Sequence, residues 1–542
     1  MVKLIRVFFE SIPIQFAISL FILFPPDTVA QVTGLIPERY YSIQENSVST
    51  LEAYGDTLWT GPGLNRWVEG QGEWYIPQAA DSVFSGRGRV YSLAISRDTI
   101  VAGIGYTSLV GGQRVQTAIG YYRSVNGGDH WKFYPFPLEE PDPDICDMDS
   151  DEYLPECDIT FRYGDLEYKR LPVVVPQQSP PFEVDFSGDT ILSVNWASGL
   201  MRSQNGGIDW ERIILPPSTE TSLNPGYEYF WFSQDREGSL LNRYDPRFDN
   251  NLLGFSLLID RQRRVWVGTA SGINVSENAL TSPVERISWE HLSFTGDPHG
   301  LLGDWVIKIR ENPVNSDIWL TNWPSDPDNR DGYGLVSTSD GGISFSQFLK
   351  GVRVNDITFH NGMIYVVTDE GLYKSEDDGE NWTHIRQITS PNTFIKDGAR
   401  YLSAAATNRQ VWVGTSDGLA SSIDGVNWEI TRVDMPLRGG NIYQADLPDT
   451  ETFAYPNPFS PSRHQLSRIK YEVPEYSRVR IRIFDFGMNL IRNLENRTLS
   501  RGVYETSWDG MDENGRQVEN GPVFYVIEMG SRMINGKILI LD

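Results

Sequence analysis

At 542 residues the chain is too long for one ordinary domain and suits a large all-β domain followed by a small one. Its 49 glycines and 32 prolines, with aromatics at 12%, favour many short strands and tight turns over a helical architecture. Against 46 basic side chains stand 72 acidic ones, a net charge of −26, and an acidic surface repels phosphate backbones, which argues against nucleic acid as a partner while suiting divalent cations.

Residues 1–30 read as an export signal. Lys3 and Arg6 give the positive start, residues 12–24 (IPIQFAISLFILF) the apolar core, and small residues up to Ala30 a cleavage point before Gln31. The apolar run is short for a membrane span, with an N-terminal anchor as the alternative. No later run is apolar for long enough to cross a bilayer, so the mature chain is expected to be secreted or held at the cell surface.

Residues 31–445 carry a repeat. The first unit, residues 56–74 (DTLWTGPGLNRWVEGQGEW), keeps the strands but lacks an acidic turn. An octad of pattern S/T-x-D/N-x-G-x-x-W/F then recurs. It holds Ser124, Asn126, Gly128 and Trp131, then Ser203, Asn205, Gly207 and Trp210. Thr338, Asp340, Gly342 and Phe345 make the third copy, and Ser375, Asp377, Gly379 and Trp382 the fourth. A weaker copy from Ser421 keeps Gly425 and Trp428 but has Ile423 at the acidic position and Asp424 after it. Residues 264–276 (RVWVGTASGINVS) have the strands without a good octad, and Trp289 follows after an insertion.

In such an octad the Asp or Asn oxygen accepts hydrogen bonds from nearby backbone N–H groups. The glycine supplies a positive φ, and the aromatic ring packs under the turn. Apolar β-rich runs before each copy imply four strands per unit, with the octad joining the third to the fourth. The marker aromatics Trp74, Trp131, Trp210, Trp289, Phe345, Trp382 and Trp428 make seven units. Seven four-stranded units predict a closed β-propeller, with six or eight blades, or a linear β-solenoid, as alternatives.

The insertion at 137–181 is acidic. Cys146 and Cys157 flank Asp147, Asp149, Asp151 and Glu152. In an exported chain the two cysteines predict a disulfide, with free thiols as the alternative. The alternating carboxylates suit Ca²⁺, the one cofactor suggested and none being required, though Glu152 stands where a turn glycine belongs. Asp326, Asp328 and Asp331 before Gly332 form a second such candidate. A solvated acidic loop is the alternative for both. The aromatic run YEYFWF at 227–232 suits either sugar stacking on a rim or packing of the insertion onto its own blade.

The octads resemble the Asp-box (BNR) repeats of sialidases, xyloglucan-degrading hydrolases, sortilin-type receptors and photosystem assembly factors. The resemblance spans roughly residues 45–445 and implies the propeller fold rather than an activity. Residues 259–273 (IDRQRRVWVGTASGI) also resemble the repeat of bacterial sensor propellers.

Residues 446–462, rich in proline and polar side chains, predict a linker. Alternating strands follow over 463–542; in residues 479–486 Val479, Ile481 and Ile483 face one way and Arg480 and Arg482 the other, which suggests a sandwich. YPNPF at 455–459, RIKYEVP at 468–474, residues 481–494 and residues 508–527 resemble the Ig-like domain of flagellar hook-capping proteins. They resemble more closely the type A C-terminal sorting domain of the type IX secretion system. That likeness implies export through outer-membrane secretion machinery, with a purely structural Ig-like module as the alternative.

No metal-spaced histidines, phosphate loop or nucleophile motif is present. A sialidase would need an arginine cluster and a tyrosine–carboxylate pair, and its expected start segment is represented only by IPERY at 36–40. A xyloglucanase-type enzyme would need two facing carboxylates, for which Asp185, Asp304 and Asp356 near inner-strand starts are the candidates. The leading expectation is a non-catalytic exported propeller binding a glycan or protein at the cell surface. A glycoside hydrolase is the runner-up, and a sensor or assembly factor the third reading.

Overall fold

The structure is a computed structural model that describes residues 38–40, 42–76, 88–141, 146, 157–235, 238–390, 393–433, 437–438 and 450–542. Val265–Thr269 and Val411–Thr415 share the sequence VWVGT and are buried at every position. A β-branched apolar run of that kind fits a strand covered on both faces by neighbouring sheets. Such runs recur, and each pairs antiparallel with the strands before and after it.

The result is seven units of four consecutive strands, numbered here as blades 1 to 7, with a fifth strand added at the outer edge of blade 1 (Glu38–Tyr40) and of blade 4 (Ser222–Leu223). Their first strands are Thr50–Tyr54, Arg89–Ser96, Pro181–Ser187, Gly254–Ile259, Trp305–Glu311, Val354–His360 and Tyr401–Ala406. These first strands pack on one another in sequence order, and that of blade 7 packs on that of blade 1. The ring therefore closes with the first strands innermost, as in a β-propeller, and not as a linear stack. Backbone bonds seal the junction: Val48 N–H donates to Thr415 O (2.9 Å), Gly418 N–H to Asn46 O (2.7 Å) and Asn408 N–H to Gly55 O (2.7 Å). Apolar side chains of both blades, including Leu51, Leu58, Trp74, Trp412 and Leu419, share one core there.

The octads lie between third and fourth strands. Ser124 Oγ–H donates to Asn126 Oδ1 (2.9 Å) and accepts from Gly128 N–H (2.9 Å), while Asn126 Oδ1 also accepts from His130 N–H (2.9 Å). Ser203 and Asn205, Thr338 and Asp340, and Ser375 and Asp377 repeat this pattern. Hydrogen bonds from Ser344 hold the Asp340 carboxyl well below the usual carboxylate range. Trp131 and Trp210 close the corner by donating Nε1–H to Gly128 O and Gly207 O. Each corner also leans on the preceding blade: a Cβ at Gly128 would stand 2.4 Å from Trp59, and one at Gly379 2.8 Å from Phe348.

Two copies differ from expectation. The weak copy starts at Ser422 rather than Ser421: Ser422 Oγ–H donates to Asp424 Oδ1 (3.1 Å) and accepts from Gly425 N–H (2.9 Å). It is the same corner shortened by one residue, so Asp424 is the acid. Blade 4, read as lacking an octad, keeps its first half: Ser276 Oγ–H donates to Asn278 Oδ1 (3.1 Å), which accepts from Ser288 N–H (3.0 Å) across the insertion.

The insertion after blade 2 forms its own sheet. Ile159–Tyr163 and Leu166–Arg170 join Leu240–Tyr244 and Phe232–Gln234 beside blades 3 and 4. Within the YEYFWF run Tyr229 and Trp231 are buried in this core, whereas Tyr227, Phe230 and Phe232 are exposed. Cys146 and Cys157 are joined as a disulfide, with Cα atoms 4.7 Å apart.

The C-terminal unit is a sandwich. Thr452–Tyr455, Ser467–Val473 and Gly502–Trp508 form one sheet. Ser477–Phe484, Leu490–Leu499, Gly521–Met529 and Arg532–Ile540 form the other. Val479, Ile481 and Ile483 are buried between them, on the face the alternation predicts. Thr452–Tyr455 belongs to the sandwich although it falls in the segment expected as a linker, and Phe459 is buried with it. Arg468 of this unit reaches Asp417 of blade 7 (3.7 Å), which also holds Arg432 (2.8 Å).

Candidate functional site

Six of the seven innermost strands carry a bulge near their start, and the residue after it is polar: Ser92, Glu183, Ser256, Lys308, Asp356 and Ser403. A bulge twists the strand and re-aims the side chain that follows. The serines use this to reach the next blade. Ser92 Oγ–H donates to Pro181 O (2.8 Å), Ser256 Oγ–H to Val306 O (2.9 Å) and Ser403 Oγ–H to Val48 O (3.0 Å).

The charged members meet across the ring. Lys308 of blade 5 pairs with Glu183 of blade 3. Arg310, two residues on, lies 3.1 Å from Glu52 of blade 1 and 3.5 Å from Asp356 of blade 6. Blades 3 and 5, and blades 1 and 5, are not neighbours in the ring, so these pairs can form only around its axis. Asp356 also accepts from Ile357 N–H (2.9 Å) and from Ala404 N–H of blade 7 (3.1 Å). Asp185 accepts from Phe186 N–H (2.7 Å) and from Ile259 N–H of blade 4 (2.7 Å).

Burial raises the Glu52 carboxyl above its usual value against the pull of Arg310 and Lys308. Burial opposes the charge on Arg310, but Glu52 and Asp356 outweigh it and hold the guanidinium protonated. Asp185 is pushed up to about 7 by burial, although its two backbone donors favour the ionised form. Of these four acids, Asp185 alone has no basic side chain bonded to it.

The structure therefore brings Asp185 and Asp356 to the ring axis but leaves Asp304 apart. Asp304 precedes the blade 5 inner strand, accepts from Ser325 Oγ–H (2.6 Å) and takes Gly272 N–H on its carbonyl (2.6 Å). Glu52, Glu183, Lys308 and Arg310 were not singled out from sequence. Glu183, Lys308 and Arg310 lie on strands whose bulges shift the alternation and leave no mark in the residue pattern, whereas Glu52 lies on the innermost strand without a bulge and meets its partner only through ring closure. The Asp147, Asp149 and Asp151 candidate for Ca²⁺ lies outside the described residues. Asp326, Asp328 and Asp331 are not gathered as ligands: Asp326 caps its own turn by accepting from Asp328 N–H (3.0 Å). Among the described residues no group of three or more His, Cys, Asp or Glu side chains is placed to hold a metal ion.

Asp185 gives a pH signature. Its folded value of about 7 lies above its ordinary 3.8, so the folded chain keeps a proton that the unfolded chain releases. The stability this contributes is complete below about pH 4 and lost as pH rises toward 7. Thermal midpoints measured across that window should fall by one proton's linkage in the natural protein. Asp185→Asn should flatten that component, and an unchanged slope in the variant would refute the assignment.

Comparison with known proteins places the C-terminal unit. Residues 464–532 match the FlgD Ig-like domain. This Ig-like domain is the sandwich described above. A search of the curated proteins finds no match. Among solved structures the chain is similar to YCF48 from Cyanidioschyzon merolae at 15% identity, with a TM-score of 0.39, covering 71% of this chain and 97% of that one. It is similar to the GH74 xyloglucanase from Xanthomonas campestris at 12% identity, TM-score 0.45, covering 92% and 75%. It is also similar to PorZ, a surface component of the type-IX secretion system of Porphyromonas gingivalis, at 12% identity, TM-score 0.28, covering 92% and 75%. Among the described residues no helix is long and apolar enough to cross a membrane, which says nothing of crossing by strands.

Proposed function

We propose that the chain is an exported, non-catalytic propeller that binds a glycan or protein ligand at the bacterial cell surface. Its Ig-like domain serves as the signal read by outer-membrane type IX secretion machinery. The observation that carries the non-catalytic reading is the commitment of the axial carboxyls: Glu52 and Asp356 share Arg310, and Glu183 is paired with Lys308. Acid–base hydrolysis of a glycoside needs one carboxyl free to give a proton and a second free to act as nucleophile or base. Side chains locked to cations on opposite blades act as staples instead.

The glycoside hydrolase reading rests on one observation, the Asp185 carboxyl held near neutrality, where a general acid is effective. The two separate in one experiment. The full mature chain is incubated with a polysaccharide panel and, in parallel, applied to a glycan array. Binding without release of reducing sugar is expected. Release that Asp185→Asn or Asp356→Asn abolishes would replace the binding reading with the enzyme. Fractionating a host that makes the full chain, or the chain ended at residue 445, tests the sorting role: the shorter chain should stay in the periplasm, and equal surface delivery would exclude it.

A further inference from the structure

A cleft of about 450 Å³ opens away from the axis, where three separate segments meet. One wall is the hairpin of Ile159–Tyr163 and Leu166–Arg170, the other is the short turn Val284–Arg286 of the blade 4 insertion, and the floor is the outer strand of blade 3, Glu211–Ile213. The walls are tied together: Gly164 N–H donates to Glu285 O (2.9 Å) and Tyr163 Oη–H to Ile287 O (2.8 Å). Phe161, Ile214 and Val284 add apolar lining. A volume of this order is usual for small-molecule sites.

Its charge is opposite to that of the chain. In a protein of net charge −26, four arginines line this one cleft, Arg162, Arg170, Arg212 and Arg286. Arg212 is buried at the floor, its guanidinium 5.1 Å over the Tyr244 ring. It donates Nη1–H to Leu171 O (2.9 Å), yet its Nε and Nη2, and Nε of Arg170, are buried with no hydrogen-bond partner among the described residues. Glu139 is the internal counter-ion, 2.7 Å from Arg170 and 3.6 Å from Arg212. It does not suffice: burial, and the like charge of Arg212, lower the Arg170 guanidinium from its ordinary value despite the pull of Glu139. Buried donors without acceptors are costly, so an acceptor that reaches them is favoured.

We propose that this cleft binds a small monocarboxylate, with a sugar-sized body resting on its apolar lining. The class follows from the balance of charge. Four guanidiniums face Asp165, Glu285 and Glu139, which leaves a surplus of one positive charge. A monoanion cancels that surplus, whereas a phosphate dianion overshoots it. A carboxylate also fits the fork of guanidinium N–H groups in a bidentate manner. The inference narrows the binding reading above to a ligand class and rests on it.

Calorimetric titration of the full mature chain with glucuronate, lactate, glucose and inorganic phosphate tests it. Glucuronate is expected to bind at least about tenfold tighter than glucose and to weaken with added salt. Lactate weaker than glucuronate is expected, because it lacks the sugar-sized body; lactate equal to it would overturn that part of the proposal. Arg212→Lys keeps the charge but loses the fork and should weaken glucuronate about tenfold. Arg162→Ala, on the exposed rim where the fold is not at risk, should weaken it a few-fold. Glucuronate and lactate no tighter than glucose, phosphate tighter than both, or affinity unchanged in both variants would overturn the proposal. A neutral glycan that binds the array with Arg162→Ala as well as with the natural chain would overturn the cleft while leaving the broader binding reading intact.

Discussion

Gly128→Val should be a severely damaging substitution at a blade corner, costing more than about 3 kcal/mol and lowering soluble yield. Two penalties add. Gly128 has φ +89°, where a β-branched residue is strained. Its new Cβ would also stand 2.4 Å from Trp59, a fully buried ring of the preceding blade that cannot swing aside. Because Gly128 N–H and O bond Ser124 and Trp131, any shift that relieves the clash breaks the corner. Gly127→Ala is the matched control. Gly127 is also left-handed (φ +68°), but a Cβ there meets nothing nearer than 4.0 Å, so only about 1 kcal/mol of backbone strain is expected. Chemical unfolding of both variants compares the two penalties. Equal losses would mean that the octad holds its own turn and does not join blades.

Arg310→Met should cost about 3–5 kcal/mol at neutral pH, because it strands Glu52 and Asp356 together at the ring axis without their shared cation. The methionine roughly preserves volume, so the loss is electrostatic. It carries a pH dependence of known sign. Burial already raises the Glu52 carboxyl, and without Arg310 it sits further above its unfolded value, so the variant should weaken as pH rises from about 4 toward 7 and recover on acidification. Glu52→Gln added to Arg310→Met should restore part of the loss, since it removes one of the stranded charges. Denaturant midpoints of the single and double variants across that pH range decide the matter. A single variant within about 0.5 kcal/mol of the natural protein at pH 7 would remove the axial cluster from any role in holding the ring.

The cluster also shows why the site was only half legible. Asp185 and Asp356 are acids at the starts of apolar runs, and that position can be read from the sequence. Their partners cannot. Arg310 and Glu52 lie 258 residues apart, on blades that meet only because the ring closes. Lys308 faces Glu183 because a bulge between Val306 and Lys308 resets the alternation, a backbone event that period-two counting overlooks. The shortened corner at Ser422 and the interrupted one at Ser276 were missed for a related reason. Their residues are in view, but a fixed spacing of eight does not allow for a deletion or an insertion within a turn.

By itself the sequence determined the repeating unit. Serine, acid, glycine and ring within eight residues specify a corner through bonds that close locally, and alternating apolar runs specify the strands on either side of it. Such interactions depend on neighbours along the chain, so they survive being read one segment at a time. Only the tertiary structure decided what the units make between them: a ring sealed by Val48 against Thr415, an axis where charges from non-adjacent blades cancel, and an arginine-lined cleft drawn from residues 162 to 286. The physical reason is range. Coulombic pairing and cavity shape depend on distance through space, which the chain fixes only after the last blade has met the first.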